Sequence, residues 1–313
     1  METNAVLFEA PQSVDVRPLQ LKEQSGADVL VESLWSGISS GTEKRLFEGT
    51  MPVFPGLTYP LVPGYETVGR VLKGDAAGKH RTGDIVLVPG ANCYQDAAGL
   101  FGATASHLIA PASRVIAVNE SLEADATLLS LAATAHHALM RPGTEAPDLV
   151  IGHGLLGRLV IRVMEALDMP QAAVWEKNAV RRSGKFPYNV SCAENQKDMR
   201  FHTILDASGT QDVIDLCVSH LEPGGTITLA GFYDERLSFA FAPAFMREAR
   251  IQIATEFKPE DLSAVSKLIA QERLSLKGLI THTARFSDAP SAYQTAFWDP
   301  ACVKMILDWR TPQ

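Results

Sequence analysis

A chain of 313 residues, 46% hydrophobic and 20% charged, has the composition of a globular protein and room for two domains of about 150 residues each. A net charge of −8, with no basic run and no basic-aromatic face, argues against nucleic acid as a partner. Four cysteines, at 93, 192, 217 and 302, follow no C-x-x-C spacing; they fit a reducing compartment and exclude a structural metal knot.

The opening, METNAVLFEAP, lacks a basic stretch followed by a long apolar core, and no apolar run reaches the length a bilayer requires. The expectation is a cytoplasmic protein without a transmembrane segment; peripheral contact with a membrane surface stays open. Short strand-like runs follow at 5–8, 29–34, 68–71, 85–88, 107–110 and 115–118, separated by Gly-rich turns. Residues 1–126 therefore read as a small, strongly bent β domain. From about residue 127 the pattern changes to alternating helices and strands, and this second region runs to 257. Residues 258–313, with a helix over 259–273, a further helix near 290–297 and a strand over 303–307, read as a return segment.

The most informative stretch is 147–168, PDLVIGHGLLGRLVIRVMEALD. Leu149, Val150 and Ile151 form a buried-strand run, and Gly152, Gly154 and Gly157 fall on the spacing G-x-G-x-x-G. Leu155, Leu156, Leu159, Val160, Val163, Met164 and Leu167 then recur on one helical face. In a dinucleotide site the first glycine permits the sharp turn and the second admits the pyrophosphate. The third lets helix and strand pack closely, while the helix N-terminus offers free N–H groups to phosphate. The next strand, 172–175, ends at Glu176, whose carboxylate suits the ribose hydroxyls and repels a ribose phosphate. NAD is thus the preferred cofactor, although Arg181 and Arg182 follow closely and would tolerate a phosphate. Leu155 and Leu156 at the helix start, the segment LDASG at 205–209 with Ala207 and Ser208, and the strand end at Gly231 complete the expected cofactor-binding set.

These pieces resemble the medium-chain dehydrogenase/reductase superfamily over nearly the whole chain. The resemblance rests on SGISSGTE (36–43), PGYETVG (63–69), GDIVLV (83–88), TAHHAL (134–139), the glycine turn, LDASG (205–209), LEPGGTITLAGF (221–232) and LITHTARF (279–286), in that order. It implies an α/β fold: a GroES-like β catalytic domain over 1–126 and 258–313, and a Rossmann doubly wound parallel-sheet domain over 127–257. It also implies a cleft between the domains and a homodimer joined through the Rossmann sheets. The opening residues, 36–52, 59–71 and VWEKNAVRR at 174–182 are similar to the branch that acts on chlorins. That likeness implies oxidation of the 3-(1-hydroxyethyl) group of a bacteriochlorophyllide to 3-acetyl, with NAD taking the hydride.

The departures from the family pattern concern the metal. The zinc enzymes bind through a cysteine in the first segment, a histidine in the second and a cysteine or glutamate ahead of T-x-x-H. The matching positions here carry Ser39, Tyr65 and Ser130, poor zinc donors. The lobe for a second zinc is missing, and Glu66, Cys93, His107 and His137 fit no ligand spacing, so no metal is expected. A side chain must then take the hydroxyl proton. Tyr65 occupies the metal-binding histidine's place, His137 offers an imidazole as base or relay, and Ser39 and Thr42 supply a proton path. A packing role stands beside each of these. His136 points away from His137 on a helix and is not expected to act with it. The route through Tyr-x-x-x-Lys is closed, because the residues four places after the six tyrosines are Pro63, Gly69, Ala98, Cys192, Leu237 and Phe297.

The apolar stretch 46–59 contains Phe47 and Phe54, which are expected to form a wall against a flat substrate. Two other readings compete with alcohol oxidation: a zinc-free quinone oxidoreductase or enoyl reductase, and a nucleotide-binding sensor without catalysis.

Overall fold

The computed structural model describes residues 1–53, 55–141, 143–233 and 236–310. The chain forms two compact units, Met1–Leu128 with Lys277–Gln313, and Leu129–Leu276.

The first unit begins with β1 (Glu2–Leu7), β2 (Asp15–Gln20), β3 (Asp28–Ile38), α1 (Thr42–Glu48), β4 (Leu61–Val62), β5 (Thr67–Lys73), β6 (Ile85–Val88), β7 (Ala98–Gly99), β8 (His107–Pro111) and β9 (Ile116–Ala117). The strand β3 is long enough to pair antiparallel with both β5 and β8, bending as it does so through irregular register between Ser33 and Trp35. That bend wraps the sheet around a core of Val29, Val31, Val71, Val86, Val88, Leu108 and their neighbours. The strands β2, β4 and β7 are additions to the sequence reading. They are short or polar, so hydrophobic alternation does not mark them.

The second unit holds α2 (Leu129–Met140), β10 (Leu149–Ile151), α3 (Leu155–Ala166), β11 (Ala173–Trp175), α4 (Ala179–Arg182), β12 (Val190–Ser191), β13 (Phe201–Asp206), α5 (Val213–Ser219), β14 (Leu221–Leu229), α6 (Phe241–Met246), β15 (Arg250–Ile253) and α7 (Pro259–Ala270). Its six strands lie in the order β12-β11-β10-β13-β14-β15, and every pairing is parallel. Chain direction across the sheet reverses between β10 and β13, where open α/β sheets bind ligands at the strands' carboxyl ends. Gly224 and Gly225 lie within β14.

The return segment supplies β16 (His282–Arg285), α8 (Ala289–Trp298) and β17 (Met305–Asp308). β17 pairs antiparallel with β3, so the last strand joins the first unit's main sheet. The return begins at 277, not at 258: α7 belongs to the second unit, where its Asp261 is bonded to α2. An amphipathic helix near a domain boundary carries no mark of which core takes its apolar face.

Candidate functional site

The glycine turn joins β10 to α3 as the spacing predicts. Gly152 has φ +97°, and a Cβ there would lie 2.9 Å from the Ser208 main chain. A Cβ at Gly157 would fall 1.8 Å from the Gly152 carbonyl oxygen, so only glycine lets α3 pack this close. At Gly154 the only atom within 4 Å of such a Cβ is Arg181 Nη1, at 3.6 Å; the turn is open there. Gly154 is also the N-cap of α3 and provides no side-chain cap, so the first N–H groups of this helix are left for an anion. Leu155 and Leu156 are half-buried beside this turn, whereas the helix buries Leu159, Val160, Ile161, Val163 and Met164.

Glu176 follows β11 and is nearly buried. Its Oε2 accepts the His153 N–H and its Oε1 the Asn178 N–H, both at 2.8 Å. The carboxylate is thereby fixed beside the glycine turn. His153, which the sequence reading did not single out, is fully buried and ties the surroundings together. Its Nδ1–H donates to the Arg181 carbonyl, and its Nε2 accepts from the Tyr188 hydroxyl, both at 2.9 Å. Burial holds this imidazole below its usual pKa, in the neutral form those two bonds require. Arg182 donates to the carbonyls of Glu176 and Lys177.

On the other side of the strand-order reversal, Asp206 ends β13 and organises Ala207, Ser208 and Gly209. Its carboxylate accepts the Ser208 hydroxyl at 2.6 Å, the Ser208 and Gly209 amides at 3.1 and 3.2 Å, and the Tyr233 hydroxyl. Burial pushes its pKa up against those donors. Gly231 packs against Gly209, where a Cβ would come within 2.8 Å of its amide. The dinucleotide-binding residues expected from sequence therefore share one end of this sheet, and the set fits a dinucleotide: an open turn, free helix amides and a fixed carboxylate.

In the first unit Tyr65 donates its hydroxyl proton to Ser39 Oγ at 2.7 Å, and the Thr42 amide donates to the same oxygen at 3.3 Å. The Tyr65 ring stands edge-on to Phe101, at 5.2 Å between centroids. Burial, then the neighbouring Glu66 and Glu43 carboxyls, raise the phenol well above its ordinary value; the hydroxyls of Ser39 and Thr42 offset only part of this. The group is a phenol and not a phenolate at any physiological pH. Behind it, Glu66 pairs with the Lys304 ammonium in complete burial. Glu43 accepts the Ser39 N–H at 3.1 Å and the Tyr293 hydroxyl at 2.7 Å.

Zinc does not fit the residues that stand at the metal positions. The Tyr65 and Ser39 hydroxyls are bonded to each other, and Ser130 is a buried neutral hydroxyl with no hydrogen-bond partner among the described residues. None of the three offers the thiolate, imidazole or carboxylate that zinc prefers. Among the described residues no three His, Cys, Asp or Glu side chains are arranged to hold a metal ion.

Three expectations are corrected. His136 and His137 do act on one partner: Asp261 Oδ1 accepts His136 Nδ1–H at 2.8 Å and Oδ2 accepts His137 Nδ1–H at 2.9 Å. Adjacent helical residues differ by about 100° in direction, and a carboxylate with two oxygens spans that gap. Burial pushes Asp261 up, but the Lys258 amide and the two imidazoles outweigh it and hold the carboxyl below its usual range. Second, Phe47 is no exposed wall. It lies on α1, is 4% exposed, and packs against Phe8 and Phe297 at 5.7 and 5.6 Å between centroids. Its partner in that expectation, Phe54, lies outside the described residues. Third, Leu155 and Leu156 are not core residues of their helix, as noted above.

Among the described residues no helix is long and apolar enough to cross a membrane. Residues 25–120 match the alcohol dehydrogenase GroES-like domain. The chain is 47% identical to 2-desacetyl-2-hydroxyethyl bacteriochlorophyllide A dehydrogenase of Cereibacter sphaeroides, over 99% of both proteins. In fold it is similar to an alcohol dehydrogenase from E. coli complexed with NADH (TM-score 0.80, 19% identity, 98% of this chain and 99% of that one). A dehydrogenase from Sinorhizobium meliloti bound to NADP is similar too (TM-score 0.78, 16% identity, 98% and 99%). Sheet order, glycine turn and end-to-end likeness agree: the chain belongs to the medium-chain dehydrogenase/reductase superfamily, in the family of the bacteriochlorophyllide dehydrogenases.

Proposed function

We propose that this protein oxidises the hydroxyethyl side chain of a bacteriochlorophyllide to an acetyl group, using NAD and no catalytic metal. The observation that carries the reading is the likeness, over 99% of both chains, to a dehydrogenase named for that substrate. Bound NAD supplies a two-electron acceptor that takes the carbinol hydrogen as hydride, leaving the hydroxyl proton for the protein.

Gly152, Gly154, Leu155, Leu156 and Gly157 would hold the pyrophosphate at the α3 N-terminus, with Ala207, Ser208 and Gly231 on the far side of the turn. Glu176 would receive the adenosine ribose hydroxyls. A 2′-phosphate would meet this carboxylate, which supports NAD over NADP. Tyr65 takes the substrate hydroxyl proton on its phenolic oxygen while its own proton passes to Ser39, and the proton that Ser39 gives up in exchange leaves by way of the half-buried Thr42 hydroxyl to solvent. The concerted shift avoids a phenolate, which burial and two nearby carboxyls oppose. His137 enters as a candidate base through Nε2, because Asp261 takes Nδ1. The assembly we assign is a homodimer formed through β15. This strand ends the six-stranded sheet, and beside it Phe241, Phe245, Met246 and Ile253 are exposed.

The test is direct. Purified protein is mixed with 3-hydroxyethyl bacteriochlorophyllide and either NAD or NADP, and the chlorin absorption and nicotinamide absorption are followed together. Equimolar conversion of chlorin and NAD, with NADP the poorer acceptor, is the expected result; no conversion with either coenzyme would refute the reading.

A further inference from the structure

Two carboxyl groups are sealed inside the first unit, and they are held differently. Glu66 has a cation, Lys304, whose side chain is itself only 1% exposed. Gly37 makes room for this pair, since a Cβ there would lie 2.6 Å from Glu66 Oε2 and 2.8 Å from Lys304 Nζ. Glu43 is equally inaccessible, but its two hydrogen bonds come from neutral donors: the Ser39 amide to Oε1 and the Tyr293 hydroxyl to Oε2. Ser39 is therefore held twice. Its main chain is bonded to Glu43, and its hydroxyl receives the Tyr65 proton.

Building on the reading of Tyr65 and Ser39 as the proton path, we propose that Glu43 is a positioning residue whose carboxylate grips the Ser39 main chain and keeps Ser39 Oγ beneath the Tyr65 hydroxyl. Its negative charge also favours a proton arriving at Ser39 during alcohol oxidation. Neutralising Glu43 exchanges two charge-assisted bonds for weaker neutral ones and places a second donor against the Tyr293 hydroxyl. Turnover then falls.

The groups around Glu43 set where this happens. Burial drives its pKa up to about 7, and Glu66 adds to the rise; the Tyr293 hydroxyl, the Ser39 amide and the Lys304 ammonium act the other way. Tyr65 stays neutral throughout. The functional form is the carboxylate, so activity is lost on the acid side of that value.

The experiment is the pH profile of kcat and KM for chlorin oxidation in the wild type, Glu43→Gln and Tyr293→Phe. In the wild type kcat should fall through a single titrating limb near that value and level off several-fold lower in acid, at the rate of the neutral form. Glu43→Gln should lose that limb, with kcat several-fold lower on the plateau and KM unchanged. Tyr293→Phe removes a donor that favours the charged form, so its limb should move up by about one pH unit. A limb that persists unmoved in Glu43→Gln would overturn the proposal. If that variant does not fold, an unmoved limb in Tyr293→Phe would overturn it as well. A wild type inactive at every pH would instead refute the parent reading of substrate and coenzyme.

Discussion

On the proposed reading Tyr65 stands in place of a zinc-binding histidine, and that change of side chain alters what the site can do. A metal lowers the pKa of a bound alcohol, whereas a buried phenol can only accept a proton as it gives one away. The Tyr65–Ser39 bond of 2.7 Å supplies the outlet. Tyr65→Phe keeps the ring against Phe101 and removes that outlet. Its kcat should fall by about 10²- to 10⁴-fold, the range for loss of an acid–base group, with KM nearly unchanged. Steady-state kinetics on the purified variant checks this, and a kcat within twofold of wild type would leave Tyr65 a packing residue only.

At the level of elements, what could be read in advance depended on how far the physics reaches along the chain. The strand, glycine turn and helix over 149–166 were legible because each feature lies within a few residues of the next. Glu176 was legible because it ends the following strand. The surroundings of Tyr65 were not. Tyr293 and Lys304 reach Glu43 and Glu66 across 250 and 238 residues, and no local spacing records such a meeting. Phe47 was misjudged for the same reason, since its cover comes from Phe8 and from Phe297 on α8. The two imidazoles of α2 were read as divergent because their common acceptor belongs to another helix. β15 makes a prediction of its own. An edge strand with an outward Ile253 that is 70% exposed invites pairing with a second copy. Wild-type protein should sediment as a dimer at micromolar concentration and Ile253→Asp as a monomer, while wild-type protein sedimenting as a monomer would remove β15 as the interface.

Taken as a whole molecule, the chain leaves its first unit after Leu128 and returns to it at Lys277. The return completes the surroundings of two buried carboxyl groups: α8 brings Tyr293 to Glu43, and the approach to β17 brings Lys304 to Glu66. The second unit carries a complete dinucleotide-binding frame between its two ends. Within this arrangement the proton chemistry is assigned to hydroxyl and carboxyl groups, in place of a metal ion. The most direct measurement is kcat with NAD and hydroxyethyl bacteriochlorophyllide for protein stripped of metal by a chelator, with zinc content determined on the same sample. The account predicts unchanged turnover at negligible zinc. Loss of turnover on stripping, restored by one zinc per chain, would contradict it.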